Sequence, residues 1–163
     1  METGETPLTF KAIAEEWHDA KWPTIELNTQ SCYGSAYKRA LEAFGTTPLT
    51  EIIPADINRI ILQLKDAGYS SKTVKTQKCV LKMIFDYAIA KDPPPIMYNP
   101  VSSVTVPRGL PKSKRPTPSD EIMQTVIDSV NTATFGLYPF FLLFTGCRRG
   151  EALAITWGDI DYE

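Results

Sequence analysis

The stretch FLLFTGCRRGEALAITWGDID, Phe141 to Asp161, sets two adjacent arginines at a junction between two apolar helical runs. The first run stops at Thr145-Gly146, and the second, Ala152 to Ile155, follows at once. A cation in the first turn of a helix faces the positive end of the macrodipole, its unfavourable end. Gly146 suits a left-handed residue that stops one helix and reverses the chain into the next. Arg148 and Arg149 then stand beside backbone N–H groups that the new helix leaves unpaired. Exposed amides, a positive dipole end and a planar fork of donors together form a phosphate site, and an arriving anion turns their repulsion into attraction. Glu151, three residues after Arg148, is spaced to orient it from the same helix face. The plainer alternative is a surface Arg148–Glu151 pair worth roughly a few tenths of a kcal/mol.

The rest of the 163 residues is ordinary for a globular protein, with 43% hydrophobic and 22% charged residues. No apolar run has membrane-spanning length, and METGETPLTF has no basic region leading into an apolar one, so the expected location is the cytoplasm. Cys32, Cys79 and Cys147 are odd in number, widely spaced and without a CxxC pair, which favours reduced thiols over a disulfide frame or a zinc site. The single histidine, His18, excludes catalysis by several histidines within this chain.

Working upstream, apolar residues recur at helical spacing in four segments. Phe10, Ile13, Ala14 and Trp17 mark a helix that ends before Pro23; Tyr33, Ala36, Tyr37, Ala40, Leu41 and Phe44 mark a second, with Gly45 just past its end as a natural C′ residue. A third begins near Pro54, carries Ile57, Ile60, Ile61 and Leu64, and ends at Gly68. The fourth follows Ser70 as N-cap and runs to about Lys91, with Val74, Leu81, Ile84, Phe85 and Ala88 inward. These predict a helical bundle over residues 1–91. Residues 92–118 hold eight of the thirteen prolines, which reads as an extended connector, taken as residues 92–117. Thr117 as N-cap, Pro118 and Asp120 then restart helix at about 118–131, followed by helices at about 136–145 and 148–156 and a turn at Trp157 entering a strand. Residues 118–163 are expected to open a second domain without completing it.

The net charge of −2 hides an asymmetry. Residues 1–53 hold four basic residues against eight acids, residues 72–115 nine against two, and residues 120–163 two against seven. A positive middle between negative ends points to a localised polyanion contact, with a solvated lysine face as the bland alternative. Lys72, Lys75, Lys78 and Lys82 fall on one stripe of the fourth helix, where Ser71, Thr73, Thr76 and Gln77 interleave as short hydrogen-bonding groups. Tyr37, Lys38 and Arg39 make a smaller patch on the second helix, and Arg108, Lys112, Lys114 and Arg115 suit a strap along a phosphate backbone or a solvated tether. The aromatics Phe10, Trp17, Phe44 and Phe85 sit at core spacing rather than as stacking platforms.

The segment TGCRRGEALAITWGDID resembles the first arginine box of the tyrosine recombinases, the phage-integrase family, whose pattern is close to TGxRxxEhhxLxWxDID. Thr145, Gly146, Arg148, Glu151, Trp157, Asp159, Ile160 and Asp161 match in register, and Ile155 stands near the usual leucine. Upstream, four helices, Asn99-Pro100-Val101, a basic linker and a helix opening with Thr-Pro are similar to the family's core-binding domain joined to its catalytic domain. The resemblance implies a mainly α chain: a four-helix, SAM-like core-binding bundle, then the first helices of a truncated α/β catalytic domain. It implies double-stranded DNA as partner, self-association of the full-length parent on DNA, no metal and no cofactor. Arg148 takes the place of the arginine that contacts the scissile phosphate and Glu151 supports it, while Arg149 falls on a variable position. The implied chemistry is transesterification: a tyrosine hydroxyl attacks a phosphodiester to form a 3′-phosphotyrosyl intermediate, while arginines stabilise charge on the phosphoryl oxygens. A DNA-binding protein that occupies recombination sites without cutting, or a helical protein-interaction module, are the rival readings. Only Tyr162 follows Arg148, fourteen residues on and in the expected strand, so it is not the nucleophile. Residues 1–163 alone are therefore expected to form no covalent adduct with a nicked suicide DNA substrate, and an adduct resistant to denaturing electrophoresis would refute this.

Overall fold

The computed structural model describes residues 7–112 and 116–161. It divides into two compact units, residues 1–113 and 114–163. The first is built from α1 (Phe10–Lys21), α2 (Leu27–Phe44), α3 (Pro54–Asp66) and α4 (Ser71–Ile89). Each apolar stripe lies where its spacing places it. Phe10, Ile13, Ala14 and Trp17 of α1, Ile57, Ile60, Ile61 and Leu64 of α3, and Val74, Leu81, Ile84, Phe85 and Ala88 of α4 are all buried. The α4 helix packs against each of the other three. Phe10 sits between Phe44 and Phe85, with both ring centroids 5.6 Å away.

Local signals set the helix ends. Thr9 Oγ1 accepts from the Ala12 N–H at 3.4 Å, and Ser70 Oγ accepts from the Thr73 N–H at 3.3 Å. Gly68 ends α3 at φ 75°, where the Tyr69 N–H reaches back to Leu64 O at 3.0 Å. Gly45 stands just past the end of α2, where the sequence places it, but not in the left-handed conformation usual for such a glycine. It stays right-handed at φ −49°, and its small size serves close approach instead: a Cβ there would lie 2.6 Å from Leu41 O.

Much of the proline-rich segment packs on the bundle rather than standing away from it. Asn99 Nδ2 donates to Lys82 O at 3.0 Å and to Asp86 Oδ1 at 2.7 Å, while Asn99 Oδ1 accepts from the Val101 N–H at 2.8 Å. Val101 and Val104 then enter the core, and Val106 and Leu110 lie against it. Farther on, Pro111 O accepts from the Ser71 N–H at 2.8 Å. This segment thus runs back along α4, from the level of Asp86 to its first residue. Proline forbids helix here without forbidding apolar anchorage.

The second unit holds α5 (Asp120–Asp128), α6 (Leu137–Thr145) and α7 (Arg149–Ala154). The start of α5 lies two residues beyond the expected Thr117 cap. Ser119 Oγ accepts from the Ile122 N–H at 3.4 Å, which puts Asp120 and Glu121 in the first turn, where the dipole favours acids. A 3₁₀ turn, Trp157–Asp159, forms where a turn was expected. Among the described residues no strand follows it; Ile160 is extended, with its N–H turned back to Trp157 O at 3.5 Å. Among the described residues of this unit no hydrophobic side chain is fully buried, and Phe135, Leu137, Phe144, Leu153 and Trp157 are largely exposed.

Truncating Phe85 to alanine should remove about 3–5 kcal/mol from the first unit, as large-to-small changes in a filled core do. Truncating the exposed Leu27 of the same unit should stay within about 0.5 kcal/mol. Urea unfolding of the full chain with Trp157 changed to phenylalanine, followed by the fluorescence of Trp17 and Trp22 in the first unit, distinguishes the two.

Candidate nucleic-acid interface

Burying one side of α4 forces its opposite side into solvent. Lys72, Lys75 and Lys82 are exposed there, and Lys78 is half-buried at the margin. Lys82 is not a free charge, because its Nζ lies 2.6 Å from Asp86 Oδ2. Partial burial alone would raise the Asp86 carboxyl, but hydrogen bonds from Lys82 and Asn99, with the Lys82 charge, hold it below the usual range. Lys72, Lys75 and Lys78 carry no such carboxylate partner among the described residues. Gln77 corrects the reading of the stripe as a run of solvent-facing hydrogen-bonding groups, since it is fully buried in the α2–α4 interface.

Residues 37–39 do not form one patch. Tyr37 turns into an aromatic cluster, 4.9 Å from the His18 ring, 6.1 Å from Trp17 and 6.2 Å from Trp22. Burial there, with the nearby charges of Glu15 and Asp19, raises its phenol above the ordinary value. Lys38 points to solvent. Arg39 leans the other way, donating from Nε to Gln77 Oε1 at 2.9 Å, with its guanidinium 5.6 Å from the Tyr69 ring centroid. Arg108 and Lys112 are exposed, and Lys112 follows the Pro111–Ser71 contact, so it leaves the bundle beside Lys72. Lys114 and Arg115 lie outside the described residues.

In the second unit the turn that opens the arginine box folds as its sequence predicts, while α7 is shorter than the expected 148–156. Gly146 ends α6 in the left-handed region, φ 65° and ψ 10°, with its N–H on Leu142 O at 3.0 Å. Thr145 Oγ1 closes the turn, donating to Phe141 O at 2.7 Å and accepting from the Cys147 N–H at 3.4 Å. Arg148 is the N-cap of α7, one residue before the first turn, and Arg149 opens that turn. Glu151 resolves the electrostatic conflict. Its Oε2 accepts from the Arg148 N–H at 2.7 Å, and its Oε1 accepts from Arg148 Nη1 at 2.8 Å. The backbone hydrogen bond first, and the guanidinium bond second, pull the Glu151 carboxyl below its usual value. The Arg148 side chain remains 88% exposed. Beyond it, Asp159 Oδ2 accepts from the Thr156 N–H at 2.9 Å and from Thr156 Oγ1 at 2.8 Å, which holds the Trp157 turn. Tyr138 OH donates to Arg149 O at 3.4 Å, tying α6 to α7.

Residues 10–103 match the phage integrase central domain family. The chain belongs to that family. The matched segment takes in Asn99 and Val101, the residues that pin the proline-rich segment to α4. A tyrosine recombinase XerC-like protein of Caldanaerobacter subterraneus subsp. tengcongensis is 35% identical over 113 residues, 66% of this chain and 28% of that protein. The integrase fold extends across both units. A lambda integrase tetramer bound to a Holliday junction superposes with a TM-score of 0.76 at 18% identity, over 97% of this chain and 45% of the other. The Tn1549 transposon integrase in complex with transposon right end DNA gives 0.69 at 23% identity, over 94% and 50%. This chain therefore spans half or less of each of these three proteins. No helix of the described residues is long and apolar enough to cross a membrane.

Because the Glu151 carboxyl is held below its ordinary value, its hold on the start of α7 is complete above the usual glutamate range. That hold fades as pH falls through the lowered value. Carbon-13 titration of the Glu151 carboxyl should give a midpoint below that of an unstructured glutamate, with the Arg148 amide proton moving upfield in step. A midpoint at the ordinary value would show that the pair does not form in solution.

Proposed function

We propose that this chain is the DNA-holding N-terminal part of a phage-type tyrosine recombinase acting in site-specific DNA recombination and integration. The observation that carries the reading is continuity: a phage integrase central domain at residues 10–103 leads, in one chain, to an arginine box at 145–161. The lambda and Tn1549 integrases, bound to a Holliday junction and to transposon right end DNA, support double-stranded DNA as the partner. The tetramer among them supports self-association of the full-length parent on DNA. The place of action is the cytoplasm. In this reading residues 1–91 are the core-binding domain, 92–117 the basic linker, and 118–163 the opening of the catalytic domain.

The division of labour follows from charge and exposure. Lys72, Lys75 and Lys78 neutralise backbone phosphates from a face that the α4 core fixes, and Arg108, Lys112, Lys114 and Arg115 continue that contact along the linker. Arg148 takes the scissile phosphate. Glu151 occupies one Nη1 hydrogen bond and leaves the remaining N–H groups of the guanidinium for phosphoryl oxygens. Negative charge gathers on those oxygens as a tyrosine hydroxyl attacks phosphorus. A guanidinium already braced from its own helix stabilises that charge without reorganising first.

Changing Lys72, Lys75 and Lys78 together to glutamate should abolish gel-shift retention of duplex DNA at physiological salt while leaving helical circular dichroism and the melting temperature near wild type. Wild-type binding should weaken with salt at a log–log slope of about −0.9 per phosphate neutralised. Retention by the triple variant equal to wild type would remove α4 from the interface.

A further inference from the structure

Gln77 is the one fully buried polar side chain among the described residues. Both amide groups are committed to α2: Nε2 donates to Ala36 O at 3.0 Å, and Oε1 accepts from Arg39 Nε at 2.9 Å. The pairing fixes the amide orientation, since only the nitrogen can donate to a carbonyl and only the oxygen can accept from a guanidinium. The Tyr69 ring, 5.6 Å away, gives the guanidinium a second neutral neighbour.

Arg39 is therefore treated differently from most of the cations with a defined side-chain partner. Lys11, Arg59, Lys82, Lys91 and Arg148 each pair with a carboxylate. Arg39 is gripped by an amide oxygen and an aromatic face, and neither neutralises it. Its two Nη groups have no hydrogen-bond or ion-pair partner among the described residues. A guanidinium needed only to join two helices would be better served by a carboxylate. One held by neutral groups keeps its full charge and has its orientation restricted, which is the arrangement suited to an external anion. The place fits as well. Tyr69 immediately precedes the Ser70 cap of α4, at the end of the helix that presents Lys72 and Lys75 and where Lys112 leaves the bundle.

We propose that Gln77 is a positioning residue that, with Tyr69, holds the Arg39 guanidinium as a preorganised fork for a DNA backbone phosphate. Gln77 acts through Arg39 and does not itself touch DNA. The inference rests on the reading of the first unit as a duplex-binding module and assigns the contact that its α2–α4 edge makes. A phosphate is favoured over a base edge because a side chain anchored at Nε against its own bundle reaches the backbone ridge, whereas base edges lie on the groove floor.

The test is a double-mutant cycle on the full chain with Arg39→Met, Gln77→Met and both together, measured by duplex affinity across a salt series. Arg39→Met should weaken binding about tenfold on any sequence and make the log–log slope shallower by about 0.9. Gln77→Met should weaken binding several-fold, and the double variant should match Arg39→Met alone. In wild type the Arg39 Nε–H should give a resolved, slowly exchanging nitrogen-15 resonance that Gln77→Met returns to the bulk arginine position. If Gln77→Met fails to fold, Tyr69→Leu at its partly exposed position supplies the second arm, with the same loss of effect once Arg39 is Met. Three results would overturn the proposal: an Arg39→Met variant with unchanged affinity and slope, a loss confined to particular base pairs, or a Gln77 effect that persists undiminished without Arg39. If wild type shows no salt-sensitive duplex binding at all, the duplex-binding reading fails. If wild type binds, the Lys72/Lys75/Lys78 variant does not, and Arg39→Met does, only the fork is lost.

Discussion

A helix that buries one side against three neighbours has no freedom in what it shows on the other. Val74, Val80, Leu81, Ile84, Phe85 and Ala88 turn α4 inward against α1, α2 and α3. Rotating the helix about its axis to redirect Lys72, Lys75 or Lys78 would expose several of these side chains, at about 1.5–3 kcal/mol each. The direction of the charges is thus set by the hydrophobic effect, not by any polar contact the lysines make. The same burial fixes Gln77, and through it Arg39, and it provides the surface on which Val101 and Val104 seat the proline-rich segment.

Legibility in the sequence followed the range of the interactions. The stripes of α1, α3 and α4 were readable because residues three and four apart share a face whatever else the chain does. The stop at Gly146, the cap at Ser70 and the Arg148–Glu151 pairing span at most a few residues, and they appear where spacing places them. Gln77 was misread because its partners lie 38 and 41 residues away. A polar residue in register with Val74, Leu81 and Ile84 was the one signal available, and it says that a buried partner exists without naming it. Tyr37 fits both the apolar stripe of α2 and an outward patch by spacing, and only the ring cluster of Trp17, His18 and Trp22, distant in sequence, decides for the stripe. The start of α5 slipped between two caps two residues apart: Thr117 would put Pro118 at the first helical position, whereas Ser119 puts both Asp120 and Glu121 in the first turn.

The two arginine devices solve one problem in opposite ways. Arg148 stands at a helix start, where its charge is unwelcome, and Glu151 on the same short helix steadies it with two hydrogen bonds. Arg39 stands mid-helix, where no dipole opposes it, and it is steadied by groups without charge, Gln77 of α4 and Tyr69 just before that helix. The exposed pair is easily parted, while the buried amide is not, because an amide left without its partners inside the bundle costs about 1–3 kcal/mol.

The second unit differs from the first in having no fully buried hydrophobic side chain among its described residues, although α6 is almost wholly apolar. Helices held together by half-covered rings and a few turn hydrogen bonds open segment by segment, without the cooperative barrier that a filled core provides. Peptide bonds in such a region meet a protease far more often than those of a packed bundle. Limited digestion would therefore pare this chain from the arginine box inward and halt near Pro111, where the segment pinned by Asn99 and the two valines shields the backbone.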